Sequence, residues 1–355
     1  MKTKTRRIPN LITYVPVSIS DLIIGGLIIF YGSRLLNLGI DVLPKDVLPY
    51  ANHVINWYMP HYSNMLVCTT FGADMISGIT DYLARPRISQ KKDVSEKLGV
   101  TRKPVDKETR IKKIDDICLE ISDGYTEKKY SLKEEAKIAN NSLEEIVYKI
   151  EGIRLKTSDK IKNSYLMKYL MPHALGRCDV ISSDITMFQK IPYISFSILA
   201  HELAHRKRYF KENNAEVLAH LAGFATRDPV FIQSSKVSRL RRECQTLFEK
   251  YGKTTKEERK QLNEEYQDFL NDLSLPYNIK NAILKSEFQK NNILTEGIKK
   301  GQTALYTLMM KVFGQKEGPL RYTKVFTEDL YALEEKYHSS EALANALILL
   351  DREAV

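Results

Sequence analysis

The stretch Ser197-Ile-Leu-Ala-His201-Glu202-Leu-Ala-His205 decides how the rest of the chain is interpreted. Residues four positions apart on a helix lie on one face, so both imidazoles of this stretch can bind one metal ion. Glu202 would then lie beside the coordination position of a water molecule, whose proton its carboxylate could take. Because the residues before and within the pattern are apolar, we expect a buried helix here rather than an exposed one that carries two solvated histidines by chance.

A third metal ligand is expected in the following segment, Lys211-Glu212-Asn-Asn-Ala-Glu216. Glu212 and Glu216 are four residues apart and share one helical face, so either carboxylate could reach the metal. The other would then support a histidine ring by a hydrogen bond. The charged residues between His205 and Lys211 predict a tight turn between two helices. In the alternative interpretation, both glutamates simply begin a solvated helix, where acidic residues favour the helix dipole.

The overall composition predicts a folded protein with a buried core. The chain has 355 residues, of which 43% are hydrophobic and 28% are charged. The net charge of +10 suggests an acidic partner, such as an anionic membrane surface or nucleic acid. Because lysine is spread along the chain and no nucleic-acid-binding motif is present, we do not expect nucleic acid to be the partner.

The four cysteines argue against a disulfide framework and against a cysteine metal site. Cys68, Cys118, Cys178 and Cys244 lie far apart and form no CxxC pair. We expect isolated buried thiols, which fit a reducing compartment.

Residues 1–84 are predicted to form a membrane anchor. An apolar stretch runs from Leu11 to Ile40 and is interrupted only by Asp21 and Arg34. A membrane helix needs about 20 residues, and an arginine near its end can extend to the interface. We therefore expect a transmembrane helix over about residues 18–38.

A second apolar segment, Tyr62 to Ala84, contains Asp74 and Asp81, which are costly in lipid. It is either a second transmembrane helix with its acidic residues facing protein or a helix docked on the main domain. Basic residues precede the first apolar stretch and follow the second, and the positive-inside rule places both groups in the cytoplasm. We therefore favour a helical hairpin in the cell membrane and a cytoplasmic main domain. With a single span, the main domain would lie outside.

Residues 85–355 are predicted to form one mainly α (α+β) domain with a small β element. Apolar residues recur at helical spacing in residues 111–121 and 143–150. Ser131 with Glu134 predicts a capping box at the start of a helix. The β-branched, partly alternating segment from Asp179 to Met187 predicts a strand, and helices should follow to the end of the chain.

The segment Glu212-Asn-Asn-Ala-Glu216-Val-Leu-Ala219 resembles the E-x-x-A-(D/N)-x-x-A helix that follows HExxH in gluzincin membrane peptidases. The resemblance implies a zincin-like domain, with Glu212 as the third zinc ligand and Glu216 as an outer residue that supports a ligand. This chain has glutamate where those peptidases have aspartate or asparagine, so the choice between the two carboxylates stays open.

The chain also resembles an uncharacterised bacterial family of membrane-anchored HExxH proteins. It lacks the glycine that usually follows HExxH in that family, and Gln233 replaces a tyrosine. The matching blocks, in chain order, are Pro16–Asp21, Tyr82–Pro86, Glu96–Gly99, Asp228–Ser235 and Gly314–Gly318 with Arg321 and Tyr322.

The function expected from these patterns is that of a membrane-anchored, zinc-dependent endopeptidase. A water bound to Zn²⁺ would attack a peptide carbonyl, and Glu202 would transfer its proton to the leaving amine. Tyr322, in a block shared with the resembled family, is the expected donor to the oxyanion, although it could equally be an ordinary helix-face tyrosine. His220 and Tyr193 are weaker candidates for that role.

The expected partners are a peptide or protein substrate and membrane lipid. Two other functions fit the sequence less well. One is a non-catalytic membrane protein with a structural metal site, although such a site needs no general base at Glu202. The other is a basic adaptor that binds lipid or nucleic acid, in which case the HExxH pattern is accidental.

Overall fold

The computed structural model describes residues 6–7, 18–37, 45, 48–84, 88–89, 91–164, 174–179, 183–248, 256–287 and 319–349. Within these residues the fold is mainly helical with a few short strands, as the sequence predicts. The helices are α1 (Ile19–Asn37), α2 (Leu48–His53), α3 (Met59–Ala84), α4 (Val94–Lys97), α5 (Lys107–Asp123), α6 (Leu132–Glu151), α7 (Ser195–Arg206), α8 (Glu212–Ala225), α9 (Pro229–Phe248), α10 (Lys256–Asp272), α11 (Tyr277–Glu287), α12 (Pro319–Tyr337) and α13 (Ser340–Leu349), and a π-helical turn, Val54–Tyr58, joins α2 to α3. The strands are β1 (Arg6–Arg7), β2 (Leu155–Lys156), β3 (Lys162–Asn163), β4 (Gly176–Cys178) and β5 (Ile185–Met187).

Helices α1 and α3 pack against each other as a pair that is attached to the main domain. A Cβ atom on Gly26 of α1 would lie 2.6 Å from Val67, so the glycine permits the close approach of the two helices. At the start of α1, Asp21 accepts a hydrogen bond of 2.5 Å from the Ser164 hydroxyl. After α3, Ile88 packs in the main hydrophobic core. Since the start of α1 and the segment after α3 both contact the main domain, the two helices form a helical hairpin.

The surface of this hairpin is largely apolar, and its buried seam is partly polar. No helix among the residues that the structure describes is both long enough and apolar enough to cross a membrane. The predicted spans therefore stay predictions. The exposed apolar side chains include Leu27, Ile28, Tyr31, Leu36, Met65, Phe71, Met75, Ile76 and Ile79, and the buried polar ones include Ser33, Ser63, Thr70, Asp74 and Ser77.

Helix α8 lies at the centre of the main domain. Every residue from Asn213 to Phe224 is buried, and the helix contacts α4, α6, α7, α9, α12 and α13. Gly223 lies where α9 crosses, and a Cβ atom there would lie 1.9 Å from the Ser235 hydroxyl oxygen. Side chains along α8 are therefore held by neighbours on several sides, which suits a helix that positions a functional site.

A three-stranded sheet in the order β3–β5–β4 lies beside α7. β3 runs parallel to β5, and β4 runs antiparallel to it at the edge of the sheet. Of the strand predicted over Asp179–Met187, Ile185–Met187 form β5, whereas Asp179, Ser183 and Asp184 belong to no strand and residues 180–182 lie outside the described part of the chain. Asp179 and Asp184 instead close a turn, in which the Asp179 amide donates to the Asp184 carbonyl at 2.7 Å. The turn allows β4 to fold back onto β5, a pairing that the alternation of side chains could not reveal.

Two helix predictions are confirmed with small differences. Ser131 and Glu134 form the predicted capping box at the start of α6. Ile111 is 36% exposed, so it lies outside the buried face of α5 although it fits the helical spacing. The buried residues of α5 and α6 at the predicted spacing are Ile114, Ile117, Cys118, Ile121, Leu143, Ile146 and Val147.

All four cysteines are free, as the sequence predicts. The prediction of burial is confirmed for Cys118 and Cys244 but is wrong for Cys68, which lies exposed on α3, and Cys178 is only partly buried. Burial raises the pKa of the Cys118 thiol to about 12, so this cysteine stays protonated near neutral pH.

Candidate metal centre

Helices α7 and α8 bring His201, His205 and Glu212 together. α7 carries both histidines on one face, and the short turn after Arg206 returns the chain so that α8 begins at Glu212. The two Nε2 atoms lie 3.0 Å apart. The Glu212 Oε2 atom lies 3.0 Å from Nε2 of His201 and 3.6 Å from Nε2 of His205. Three potential ligand atoms therefore surround one position, in the part of the chain where the sequence predicts a metal site.

The spacing and chemistry of these three atoms fit a zinc ion. Ligands at about 2.0–2.1 Å from a tetrahedral zinc ion lie roughly 3.3 Å from one another. The three observed separations, 3.0, 3.0 and 3.6 Å, lie on either side of this value. Two imidazole nitrogens and one carboxylate oxygen also match a common donor set of catalytic zinc sites, in which a fourth position stays open.

The outer nitrogen of His205 is held by the turn that follows α7. His205 Nδ1 lies 2.7 Å from the carbonyl oxygen of Tyr209, and a carbonyl can only accept, so Nδ1 carries the proton and donates it. This tautomer leaves the Nε2 lone pair free for a metal. Arg208, with φ of 78°, has the left-handed backbone that shapes the turn. The Tyr209 hydroxyl donates to Glu151 at 2.7 Å, and Lys97 pairs with the same carboxylate at 2.6 Å.

The outer nitrogen of His201 faces Glu216. The Glu216 Oε1 atom lies 3.7 Å from His201 Nδ1, and the same carboxylate is paired with Arg242 of α9. Glu216 is buried beside Nδ1 of His201, and the ligand cluster found among the described residues contains Glu212 but not Glu216. The geometry thus gives different surroundings to the two glutamates between which the sequence could not choose.

The charges around His201 favour a cation at this position. Burial alone would lower the pKa of His201, but the carboxylates of Glu216 and Glu212 raise it to about 9. Burial would likewise raise the pKa of Glu212, but the histidines His205 and His201 hold it well below its usual range. The carboxylates therefore stabilise positive charge at the imidazoles, which a bound divalent cation would also supply.

Glu202 lies against the edge strand β4. Burial raises the pKa of its carboxyl group, and the nearby His201 and His205 oppose this effect. The backbone amide of Cys178 also opposes the rise in this pKa, and a Cβ atom on Gly176 would lie 3.5 Å from Glu202 Cγ. A buried carboxylate with a raised pKa is suited to take up a proton and return it within one reaction.

The candidate oxyanion donors are less well supported. Tyr322 lies in α12, but its side chain is outside the described residues. The Tyr193 hydroxyl lies 3.3 Å from that of Tyr125 and so contacts a different part of the domain. His220 is buried with Nε2 3.2 Å from the Ser340 hydroxyl, and burial lowers its pKa to about 3. His220 is therefore a buried, neutral residue that contacts α13, and its surroundings do not support the role of an oxyanion donor.

The sequence did not single out Tyr209, Arg242 or β4 as parts of the site. A carbonyl group has no sequence signature, although an aromatic residue inside the charged turn after His205 was a possible signal. Arg242 lies 26 residues beyond Glu216, and only the crossing of α8 and α9 brings the two together. β4 is too short for its alternation to be detected.

Residues 4–327 match the family described as "Protein of unknown function (DUF3810)". No curated protein and no solved structure shows a significant match to this chain. The matched region includes both histidines and all three glutamates of the candidate centre, but the description of the family assigns no activity to it.

Proposed function

The chain belongs to the DUF3810 family of unknown function, and we propose that it is a zinc-dependent endopeptidase of the gluzincin type. One observation carries the proposal: the Nε2 atoms of His201 and His205 and the Oε2 atom of Glu212 lie within 3.6 Å of one another. The resemblance of the α8 sequence to the second motif of gluzincin peptidases supports the same function.

The residues of the centre have distinct tasks in this proposal. His201, His205 and Glu212 would hold the zinc ion, which would activate a water molecule and polarise the substrate carbonyl. Glu202 takes a proton from the attacking water at its carboxylate and passes it to the amine nitrogen as the peptide bond breaks. Its burial separates this proton from bulk solvent.

Strand β4 offers a way to align the substrate. Among the described strands, β4 is at the edge of its sheet, and it lies against Glu202. An extended peptide could add to this edge through backbone hydrogen bonds, with its scissile bond next to the carboxylate. Such binding favours extended, unfolded segments of polypeptide as substrates.

Two observations favour an enzyme over the alternatives. Structural zinc sites are closed by four protein ligands, whereas the cluster found among the described residues supplies three, as in catalytic sites whose fourth position is taken by water. An adaptor for lipid or nucleic acid would have no use for a buried Glu202 next to two histidines. We therefore retain the structural site and the adaptor only as outcomes of the experiment below.

We further propose that the α1–α3 hairpin anchors the protein in a membrane. The exposed apolar side chains of the hairpin and its buried polar seam support this role, because polar side chains in lipid face other helices. The contacts of Asp21 and Ile88 with the main domain support a hairpin rather than one span. With the basic N-terminus inside, a hairpin leaves the main domain in the cytoplasm.

The experiment that tests the enzyme proposal measures metal and hydrolysis in the purified full chain. We expect one zinc ion per chain, and we expect His201→Ala or His205→Ala to remove it. Glu202→Gln should keep the zinc but lose hydrolysis of a fluorogenic peptide library, because the base is not a ligand. His61→Ala is the matched control, because it changes an exposed histidine on α3, outside the centre. This variant should keep both the zinc ion and the hydrolysis.

Three results would contradict this proposal. A chain that purifies without zinc and does not take it up is the outcome expected of an adaptor. A Glu202→Gln variant that loses zinc as completely as the histidine variants would show that Glu202 is a ligand. Stoichiometric zinc without any Glu202-dependent hydrolysis would indicate a structural site.

A further inference from the structure

Arg242 connects α9 to the candidate zinc centre. Its Nη2 atom donates a hydrogen bond to the Oε1 atom of Glu216 across the α8–α9 contact. The same Oε1 atom lies 3.7 Å from Nδ1 of His201. A continuous series of contacts therefore runs from the guanidinium group to the imidazole whose other nitrogen, Nε2, faces Glu212.

We propose that Arg242 is a positioning residue of the zinc centre and that it acts on His201 through Glu216. This inference rests on the proposed zinc site, because it concerns the orientation of one of its ligands. A histidine that binds zinc commonly donates its other N–H group to a carboxylate, which fixes the plane of the ring. Glu216 is the carboxylate beside His201 Nδ1, and a shift of about 0.5 Å would bring it within hydrogen-bonding distance.

The charge of Glu216 explains why an arginine is needed here. Glu216 is only 4% exposed, and a buried carboxylate without a cationic partner is costly. Glu202 and Glu212 already contribute two more carboxylates close to the same histidines. Arg242 balances the charge of Glu216, so that this carboxylate can stay buried beside His201 without a metal ion as its partner.

Arg242 is itself held in place from its far side. Its Nη1 atom donates to the Gln245 side chain at 3.1 Å. The amide group of Gln245 donates in turn to Glu287 of α11 at 2.7 Å. Because the planar guanidinium group is fixed by partners on both sides, it determines the direction of the Glu216 carboxylate as well as its charge.

The adjacent residue, Arg241, offers a matched control. Arg241 pairs with Glu287 and acts on Glu216 only through its charge, without a contact, and its side chain is 12% exposed, compared with 14% for Arg242. If Arg242 merely ties two helices together, removal of either ion pair should have the same consequences. If Arg242 positions His201, its own removal should weaken the binding of zinc much more than removal of Arg241, which reaches this series of contacts only indirectly, through Glu287 and Gln245.

The test measures zinc affinity of the full chain by competition with a chromogenic chelator. We expect Arg242→Met and Glu216→Gln each to weaken zinc binding by about 10–100-fold, as is typical for partners of metal-bound histidines. The double variant should bind zinc no more weakly than whichever single variant has the lower zinc affinity, because both changes break the same series of contacts. Arg242→Lys, which keeps the charge, should lose less than Arg242→Met, and Arg241→Met, which removes no contact of Glu216, should lose several-fold less affinity than Arg242→Met.

A spectroscopic measurement separates positioning from loss of stability. With the centre saturated by Co²⁺, the visible absorption spectrum should change more in Arg242→Met than in Arg241→Met. If Arg242→Met does not fold, as judged by circular dichroism, the same comparison is made between Arg242→Lys and Arg241→Lys. A smaller but measurable loss of affinity is then expected in Arg242→Lys, and it should exceed any loss in Arg241→Lys.

Several results would overturn the inference. One is an Arg242→Met variant with unchanged zinc affinity. Another is a double variant in which the losses of zinc affinity of the two single variants add up. The third is an Arg241→Met variant that loses as much zinc affinity as Arg242→Met. If the unchanged chain binds no zinc, the proposed function itself fails. If it binds zinc and Arg242→Met binds equally tightly, only the role of Arg242 is refuted.

Discussion

The carbonyl oxygen of Tyr209 lies 2.7 Å from Nδ1 of His205, whereas the corresponding nitrogen of His201 faces the carboxylate of Glu216 at 3.7 Å. The two histidines of the candidate centre are thus supported in different ways. His205 depends on the backbone of the turn after α7, which no side-chain substitution removes. His201 depends on a buried carboxylate and its arginine partner, so substitutions are expected to affect this half of the site more strongly.

The two glutamates of α8 should differ in their effect on zinc binding. We expect Glu212→Gln to weaken zinc binding by more than the about 10–100-fold loss expected for Glu216→Gln, because only Glu212 approaches both Nε2 atoms. Chelator competition on the two variants measures the difference. The opposite ranking would make Glu216 the third ligand.

The crossing of α8 and α9 should not tolerate a side chain at position 223. In Gly223→Ala the new Cβ atom would lie 1.9 Å from the Ser235 hydroxyl oxygen and 2.7 Å from the Phe231 carbonyl oxygen. Since the backbone must shift, we expect a loss of about 1–3 kcal/mol in the free energy of unfolding. Denaturant unfolding followed by circular dichroism measures this loss.

Gly72→Ala is the matched control for this substitution. Gly72 lies in α3, and nothing lies within 4 Å of the position that its Cβ atom would occupy. Alanine is the better helix former, so this variant should be as stable as the unchanged chain or slightly more stable. Equal losses in the two variants would contradict the close packing at Gly223.

Glu334 should contribute stability that is lost in acid. Burial would raise its pKa, but Arg239 and Lys113 lower it to about 2, from a usual value of 4.5. Because the pKa is lower in the folded state, the contribution is complete above about pH 4.5 and disappears as the pH falls toward 2. We expect it to amount to at most roughly 3 kcal/mol. Unfolding measured between pH 6 and pH 2.5 should show a weaker acid dependence in Glu334→Gln.

Glu335→Gln provides the control for the effect of Glu334. Glu335 pairs with Lys103, and both side chains are more than two-thirds exposed, at 68% and 69%. Such exposed pairs contribute little to stability, so this variant should keep the acid dependence of the unchanged chain. An unaltered acid dependence in Glu334→Gln would mean that the Arg239 and Lys113 charges do not stabilise Glu334.

If the α1–α3 hairpin spans the membrane, the candidate centre should lie on its cytoplasmic side. We expect protease added outside sealed, right-side-out vesicles to leave the main domain intact. Once the vesicles are opened, the protease should digest the main domain. A tag inserted between Asn37 and Leu48, in the connection between α1 and α2, should be accessible from outside and serves as the control. Digestion of the main domain in sealed vesicles would instead indicate a single span.

Local features of the fold were determined by the sequence alone. The spacing of His201 and His205 places them on one face of any helix, and the Ser131–Glu134 pair caps a helix through contacts within one turn. The buried faces of α5 and α6 follow from apolar residues at helical spacing, because a helix exposes the same side every three or four residues. Contacts between neighbours in the sequence need no knowledge of the remaining chain.

Tertiary structure decided which side chains meet. Glu212 and Glu216 share one helical face, so only the approach of α7 and the reach of Arg242 from α9 give the two carboxylates different surroundings. The extent of β5 depended on a turn and a partner strand, and the burial of His220 depended on α12 and α13 packing over α8. These contacts join residues that are far apart along the chain, and their geometry follows from the packing of whole helices, which the local spacing of residues does not specify.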